Sequence, residues 1–212
     1  GAVKGNSMSS IKFERSGDML GYTYFTIDDL TQALDVQRWD RIVDYVELII
    51  GGHVIDTQDS TFTEKIAIDT FAQNVSKSSN GVHPGVSARS YFYPLRFFFC
   101  EGPQSAIPLV ALQYHSVELR IYWGPDAGNY NVEAYSNFYY LDSEERGNIA
   151  SRPNNILITQ VQKNIPSGEL VHELNFNHPV KYIACSNTST GGALTSTDNK
   201  IKLSINSVDI GV

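Results

Sequence analysis

The chain has 212 residues, of which 42% are hydrophobic and 18% are charged. This composition excludes a disordered chain, because disorder combines low hydrophobicity with high charge. With 16 Lys and Arg against 23 Asp and Glu, the net charge is −7, so no direct nucleic-acid partner is expected. No apolar run approaches the ~20 residues that cross a bilayer, and no transmembrane segment is predicted.

Alternating and aromatic-rich segments predict a chain built mainly of short strands, since strands favour aromatic and β-branched side chains. The predicted strands are 10–13, 20–27, 42–50, 53–55, 91–100, 117–123, 138–141, 156–162, 170–176, 180–186 and 200–205. Short helices are predicted over 61–72 and 142–150. The second begins with Asp142 as a candidate N-cap and has Glu145 three residues later, a capping-box variant.

The clearest local signals are one alternating strand and one hairpin turn. From Val117 to Trp123 every second residue is apolar, which fits a strand with one buried face. Gly51 and Gly52 separate two strand-like runs, and the tight turns of hairpins need residues with positive φ. We therefore predict an antiparallel hairpin around these two glycines.

An aromatic stretch at 91–99 is apolar on both faces, which predicts a buried strand between two layers. A sugar- or base-stacking platform is the alternative interpretation. Arg96 interrupts the stretch, and a buried guanidinium needs a partner. We hypothesise that Arg96 lies near a strand end with a carboxylate or backbone carbonyls.

The domain organisation follows from the absence of repeats and of a dividing linker. Residues 1–10 are predicted to be an N-terminal extension without the apolar core of a signal peptide. Residues 11–212 are predicted to be a single all-β domain, an antiparallel sandwich of the eight-stranded jelly-roll type. Cys100 and Cys185 are too few for a disulfide framework and are predicted to be reduced, although a bridge between them stays open.

The sequence predicts no catalytic, cofactor-binding or metal site. A jelly-roll metal site needs two imidazoles and a carboxylate on one side of the ion. The spacing of His53 and Asp56 puts them on opposite faces of a strand, and His172 beside Glu173 has the same defect. Neither a Gly-x-Ser-x-Gly elbow nor a phosphate-binding glycine loop is present.

One long segment resembles a known family. Residues 93–117 read YPLRFFFCEGPQSAIPLVALQYHSV, which is similar to the most recognisable stretch of the major capsid proteins of nucleocytoplasmic large DNA viruses. Shorter pieces follow in the family's order: RSGDML at 15–20, VELIIGGHVID at 46–56, YYLDSEER at 139–146 and LNFNHPVK at 174–181. The resemblance covers residues 11–210.

This resemblance implies a structural protein rather than an enzyme. Each subunit of the family has two jelly rolls in tandem, and homotrimers with a pseudo-hexagonal outline tile an icosahedral capsid. The partners implied are other copies, neighbouring capsomers and minor capsid proteins, in a virion assembled in the host cytoplasm. This chain resembles the first roll without its usual first strand, and a second roll is expected after Val212. The loops 73–90 and 124–130 are candidates for intersubunit or outer-surface contact.

Two other functions remain open from the residues alone. A carbohydrate-binding jelly-roll module would use tyrosine-rich loops for stacking, and glycan binding without self-assembly would favour it. A metal-dependent jelly-roll enzyme would bind stoichiometric metal through His172 or His178. Trimers in solution would favour the capsid subunit.

Overall fold

A computed structural model describes residues 3–27, 39–67, 92–164, 171–184 and 202–211. The chain divides into two units, Gly1–His178 and Pro179–Val212. The strands of the described residues are β1 (Met8–Lys12), β2 (Met19–Ile27), β3 (Val43–Ile50), β4 (His53–Asp59), β5 (Phe92–Pro94), β6 (Ile107–Pro108), β7 (Val117–Trp123), β8 (Val132–Tyr139), β9 (Leu203–Ile205) and β10 (Val208–Gly211).

The first unit contains two antiparallel sheets. One sheet has the strand order β1-β7-β3-β4. In the other, β2 pairs with β8 along one edge, and its opposite edge is shared by β5 and β6. In the second unit, β9 and β10 form a hairpin. The predicted single domain over 11–212 stays a prediction.

The core lies between the two sheets and is rich in aromatic rings. Phe25 on β2 stacks on Tyr93 of β5, with ring centroids 6.1 Å apart. The same ring approaches Trp123 on β7 of the facing sheet, also at 6.1 Å. Trp39, in the 3₁₀ turn before β3, contacts Tyr93 at 5.5 Å. One aromatic cluster therefore joins the two layers, and each buried large side chain contributes about 2 kcal/mol of transfer free energy.

The strands predicted from strict alternation or turn chemistry are confirmed. β7 has the predicted bounds, and its residues alternate between buried and partly exposed. Around the glycine pair, β3 and β4 form the predicted hairpin, with Gly51 at φ +60° and Gly52 at φ +84°. β1 and β2 lie within two residues of their predicted positions.

We expect alanine substitutions at the two turn glycines to destabilise the fold by different amounts. At Gly52, a Cβ meets nothing within 4 Å, so only the left-handed backbone costs free energy, about 1 kcal/mol. At Gly51, a Cβ lies 2.9 Å from His115 Nδ1, so the imidazole must also move. Urea unfolding should show a larger loss for Gly51→Ala, and adding His115→Ala should remove the difference. Equal losses in the two single variants would contradict this account.

The aromatic stretch is buried as predicted, but most of it is not a strand. β5 ends at Pro94, and the chain then forms a 3₁₀ turn at Phe98–Cys100. Pro94 has no N–H to donate, and pairing with β2 ends one residue later, where the Leu95 N–H donates to Thr23 O (3.1 Å). Phe97 and Phe99 are fully buried, so the stretch belongs to the core and the stacking-platform alternative is wrong.

The structure also shows the position and burial of Arg96 and Cys100, for which the sequence made predictions. Arg96 lies two residues beyond the end of β5, and burial lowers the pKa of its guanidinium. The position agrees with the hypothesis of a strand end, while the predicted partner stays a prediction. The Cys100 side chain is buried, and Cys185 lies outside the described residues.

Several strand predictions in the second half of the chain are wrong, either in their bounds or because no strand forms. Residues 156–162 form no strand, and neither do the described parts of 170–176 and 180–186. The described residues of these segments are mostly exposed, and 156–162 is joined to the edge strand β4 through the side chains of Gln160 and Asp56 rather than through a backbone ladder. β8 begins at Val132, six residues before the predicted start, and β6 was not predicted. Of the predicted strand 200–205, residues 203–205 form β9, and the rest is Lys202 or lies outside the described residues.

Both helix predictions are confirmed in part. The helix α1 (Ser143–Ser151) begins where predicted, and its N-cap Asp142 accepts a hydrogen bond from the Glu145 N–H (2.8 Å). The segment predicted as 61–72 contains a short π-helix, Phe62–Ile66, and its residues from 68 onward lie outside the described part of the chain. Elsewhere the described chain has 3₁₀ turns at Trp39–Arg41, Phe98–Cys100, Pro103–Ser105 and Ala127–Asn129.

Candidate functional site

A polar cleft of about 520 Å³ opens at one end of the sheet that contains β2 and β8. Three separate segments form it, and each belongs to a motif singled out in the sequence: the turn before β2, the loop before β7, and the end of β8 with α1. The lining residues are Arg15, Ser16, Gly17, Asp18, Val110, Gln113, Tyr114, Tyr140 and Arg146.

An ion pair between a buried carboxylate and a half-exposed guanidinium lies in the cleft. Asp18 is only 8% exposed, and its Oδ1 lies 2.9 Å from Arg146 Nε. Its Oδ2 accepts hydrogen bonds from Arg146 Nη2 (2.9 Å) and from the Leu141 N–H (2.8 Å). The hydrogen bonds from Arg146 and then from Leu141 lower the pKa of Asp18, because they stabilise the carboxylate.

Backbone hydrogen bonds join the three segments around this ion pair. The Asp18 N–H donates to Tyr139 O (3.0 Å), and Asp18 O accepts from the Val110 N–H (3.1 Å). The Tyr140 hydroxyl donates to Ser16 O (2.7 Å), and Arg15 donates through Nη2 to Leu112 O. The cleft walls are therefore tied to one another at several points and are pre-organised.

The open face of the cleft is aromatic and polar. The side chains of Tyr114 and Tyr140 are 92% and 73% exposed. The carboxylate of Asp18 is engaged by Arg146, so the lining offers N–H donors and ring faces rather than a poised acid–base pair. Such a surface is suited to recognition.

The sequence motifs included these three segments, but they did not predict that the segments lie together. Asp18 and Arg146 are 128 positions apart, and no local pattern indicates that they pair. The histidines that the sequence raised as metal candidates lie elsewhere: His53 begins β4, and His172 and His178 are exposed. Within the described ranges, no cluster of three or more His, Cys, Asp or Glu side chains is positioned to hold a metal ion.

The loop 124–130, predicted as a contact surface, is anchored to the body of the first unit. Ala127 is fully buried, and Arg41 forms an ion pair with Asp126. Gly124 packs on the backbone of Arg41, and its N–H donates to Ile42 O (2.8 Å). The other predicted contact loop, 73–90, lies outside the described residues.

A second polar cluster, which the sequence did not reveal, covers the edge strand β4. Asp56 is 4% exposed, and its carboxylate accepts from Gln58 Nε2 (2.8 Å) and from the N–H groups of Thr57 and Val161 (both 2.9 Å). Burial raises its pKa despite these bonds. Lys163 also forms an ion pair with Asp59 of β4. The segment that contains Val161 and Lys163 is therefore tied to β4, whose backbone groups would otherwise be exposed at the edge of the sheet.

Replacing Asp18 with asparagine should remove a pH-dependent part of the stability. Because the folded protein lowers the Asp18 pKa below its ordinary value of 3.8, the carboxylate stabilises the fold above that value, and this contribution disappears as the pH falls through the folded pKa. The difference in melting temperature between the native chain and Asp18→Asn should therefore be large near neutral pH and small in acid. The control is Asp44→Asn, an exposed carboxylate on β3. A difference that is independent of pH would contradict the ion-pair account.

In the described part of the chain, no helix has the length and apolar character to span a membrane.

Comparison with known proteins places these features in a family. Residues 1–132 match the family profile described as "Major capsid protein N-terminus". The chain is 29% identical over 223 residues to the major capsid protein of Pyramimonas orientalis virus, covering 91% of this chain and 56% of that protein. It is 29% identical over 228 residues to the major capsid protein of Paramecium bursaria Chlorella virus 1, covering 87% and 49%. The chain thus spans about half the length of these relatives.

The fold also matches a solved structure. The crystal structure of PBCV-1 VP54, fitted into a cryo-EM reconstruction of the virophage Sputnik, superposes with a TM-score of 0.58 at 23% identity, over 76% of this chain and 45% of that one. The likeness confirms the predicted antiparallel jelly-roll sandwich with few short helices. Because the family profile matches more than half of its residues, the chain belongs to the major capsid protein family, in the N-terminal part of that family's sequence.

Proposed function

We propose that this chain forms the first jelly roll of a capsid subunit in a large DNA virus, and that three subunits associate into a pseudo-hexagonal capsomer of an icosahedral shell. The match of residues 1–132 to the N-terminal region of major capsid proteins carries the proposal. The fold shared with VP54 supports it independently of that match.

The architecture suits a shell subunit. Two sheets joined through a fully buried aromatic cluster make a rigid body, and rigid bodies can repeat the same lateral contact many times. The proposed partners are other copies of the chain, neighbouring capsomers and minor capsid proteins. A net charge of −7 disfavours a direct contact with nucleic acid.

The proposal also specifies where the protein is located and that it does not catalyse a reaction. The protein is a component of the virion, assembled in the host cytoplasm, and it acts without catalysis. Its relatives are named as capsid proteins, which supports the structural role. The buried aromatic stretch cannot act as a stacking platform, so the carbohydrate-binding alternative rests on tyrosine-rich loops alone.

The test is the oligomeric state together with the location of the protein. Light scattering on the purified full chain should give three times its monomer mass, and antibodies against it should label the shell of intact virions. A monomer at every concentration, combined with unlabelled virions, would overturn the proposal. A glycan array on the same sample tests the carbohydrate-binding alternative.

A further inference from the structure

We propose that the cleft lined by Tyr114 and Tyr140 binds a neutral sugar ring of a glycan. The inference goes beyond the proposed capsid function, because it assigns a ligand class to one surface of the chain. The volume of about 520 Å³ lies within the range of about 300–1,000 Å³ that small-molecule sites occupy. On the proposed shell many copies of the site act together, so a weak site is sufficient.

Two exposed tyrosine rings supply the stacking surface. Tyr114 and Tyr140 both line the cleft and are mostly exposed. The face of an aromatic ring is electronegative, so it attracts the polarised C–H groups on one side of a sugar ring. The Tyr140 hydroxyl donates to Ser16 O (2.7 Å), so this side chain is already ordered and loses little further freedom when a ligand binds.

Polar side chains beside the rings supply partners for sugar hydroxyls. Gln113 is exposed in the lining, and its amide offers both donors and an acceptor. Arg15 donates from Nη2 to Leu112 O, and a guanidinium has five N–H donors, so Arg15 keeps others for a ligand. A sugar hydroxyl both donates and accepts, so it matches a lining that contains both kinds of group.

The balance of charge favours a neutral ligand. Arg146 is engaged by Asp18, whose two carboxylate oxygens accept from Nε and Nη2 (both 2.9 Å). Exposed acidic side chains adjoin the lining residues along the chain: Glu14, Asp142, Glu144 and Glu145. Because basic and acidic groups lie close together, the cleft selects neither an anion nor a cation.

A peptide fits this lining less well than a sugar. Bound peptides use an open strand edge or place apolar side chains in hydrophobic grooves, and protein interfaces have an apolar centre. Among the described residues that line the cleft, Val110 is the only aliphatic one. Exposed rings, amide and guanidinium groups and balanced charge together indicate a polyhydroxyl ligand.

Saturation-transfer NMR on the purified full chain tests the site, with the methyl glycosides of glucose, galactose, mannose and fucose as probes. At least one should receive saturation at its ring C–H groups. Tyr114→Ala should weaken its binding about tenfold or more, whereas Tyr114→Phe keeps the ring and should change it less than about threefold. The matched control is Tyr135→Ala, an exposed tyrosine of β8 outside the lining, which should leave binding unchanged.

A sugar ring has two possible sources, the surface of a host cell and a glycan on another subunit. Binding of the labelled chain to host cells and to intact virions is compared before and after periodate, which cleaves sugar rings between neighbouring hydroxyl-bearing carbons. Each surface on which this treatment abolishes binding is a source of the ligand. Binding that resists periodate on both surfaces would count against a sugar and in favour of a protein partner.

The site is wrong if none of the four glycosides receives saturation, or if Tyr114→Ala binds as well as the native chain. A preference of about tenfold or more for glucuronic acid or glucosamine, which carry opposite charges, would overturn the neutral ligand. Light scattering on the same sample separates this inference from the proposed function. Trimers that bind no sugar leave the capsid proposal standing, and a monomer that binds sugar through Tyr114 leaves the site standing.

Discussion

Replacing Gly124 with alanine is expected to lower the free energy of unfolding by about 3 kcal/mol, at the upper end of what overpacking costs. A Cβ at this position lies 2.3 Å from Arg41 O and 2.5 Å from Arg41 C, which real Cβ contacts do not approach. Both atoms belong to the backbone before β3, so they cannot rotate away as a side chain does. The loop must separate from Arg41, which strains the hydrogen bond from the Gly124 N–H to Ile42 O.

The control for Gly124→Ala is Gly128→Ala in the same loop. A Cβ at Gly128 comes no nearer than 3.6 Å to another atom, which is ordinary van der Waals contact. Urea unfolding of the two variants should show a large loss for the first and a change within about 0.5 kcal/mol for the second. Comparable losses at both positions would mean that the loop is not held against Arg41.

Replacing Phe25 with alanine should cost about 4 kcal/mol, the largest loss that we expect from a single truncation in the core. The side chain has no exposed surface, and its ring contacts both Tyr93 in its own sheet and Trp123 in the facing sheet. Truncation therefore leaves a cavity where the two layers meet, and the rings around it can collapse only partly. Chemical denaturation monitored by tryptophan fluorescence measures the loss.

A neighbouring tyrosine provides the control for Phe25→Ala. Tyr24 points to the opposite face of β2, where it is partly exposed and stacks on Tyr135 with centroids 5.6 Å apart. Tyr24→Ala removes one cross-strand pair and should cost about 1 kcal/mol. If the two substitutions had equal effects, the aromatic cluster between the sheets would not be the main source of stability.

The Asp18–Arg146 pair matters beyond the cleft that it supports. It connects the turn before β2 with the first turns of α1, and the Leu141 N–H bond secures the chain between β8 and that helix. We therefore expect that Asp18→Asn weakens the fold near neutral pH.

The elements that could be predicted from the sequence are those with local causes. The strand Val117–Trp123 follows from its alternation, and the hairpin at Gly51 follows from the need for positive φ in a tight turn. Helix α1 starts where the Asp142 side chain can accept a backbone N–H three residues later. In each case the deciding interaction lies within a few residues, so the sequence alone indicates it.

Other features were decided by partners distant in the chain. The apolar segment 156–162 has strand composition but forms no strand, because its bonds to the edge strand β4 pass through the side chains of Gln160 and Asp56 rather than between the two backbones. Leu95 makes the last hydrogen bond of the aromatic stretch to β2. The buried rings beyond it belong to the core, although their backbone is not in a strand. The buried Asp56 carboxylate accepts a hydrogen bond from the Val161 N–H, which is 105 positions away.

Sequence by itself determined the class of fold, through alternation and turn chemistry, and the motif segments that line the cleft. Only the tertiary structure determined that those segments meet, that Arg146 neutralises Asp18, and that Tyr114 remains outside the core. The physical reason is that alternation and turns depend on neighbours along the chain, whereas burial and ion pairing depend on which surfaces the packed sheets bring together.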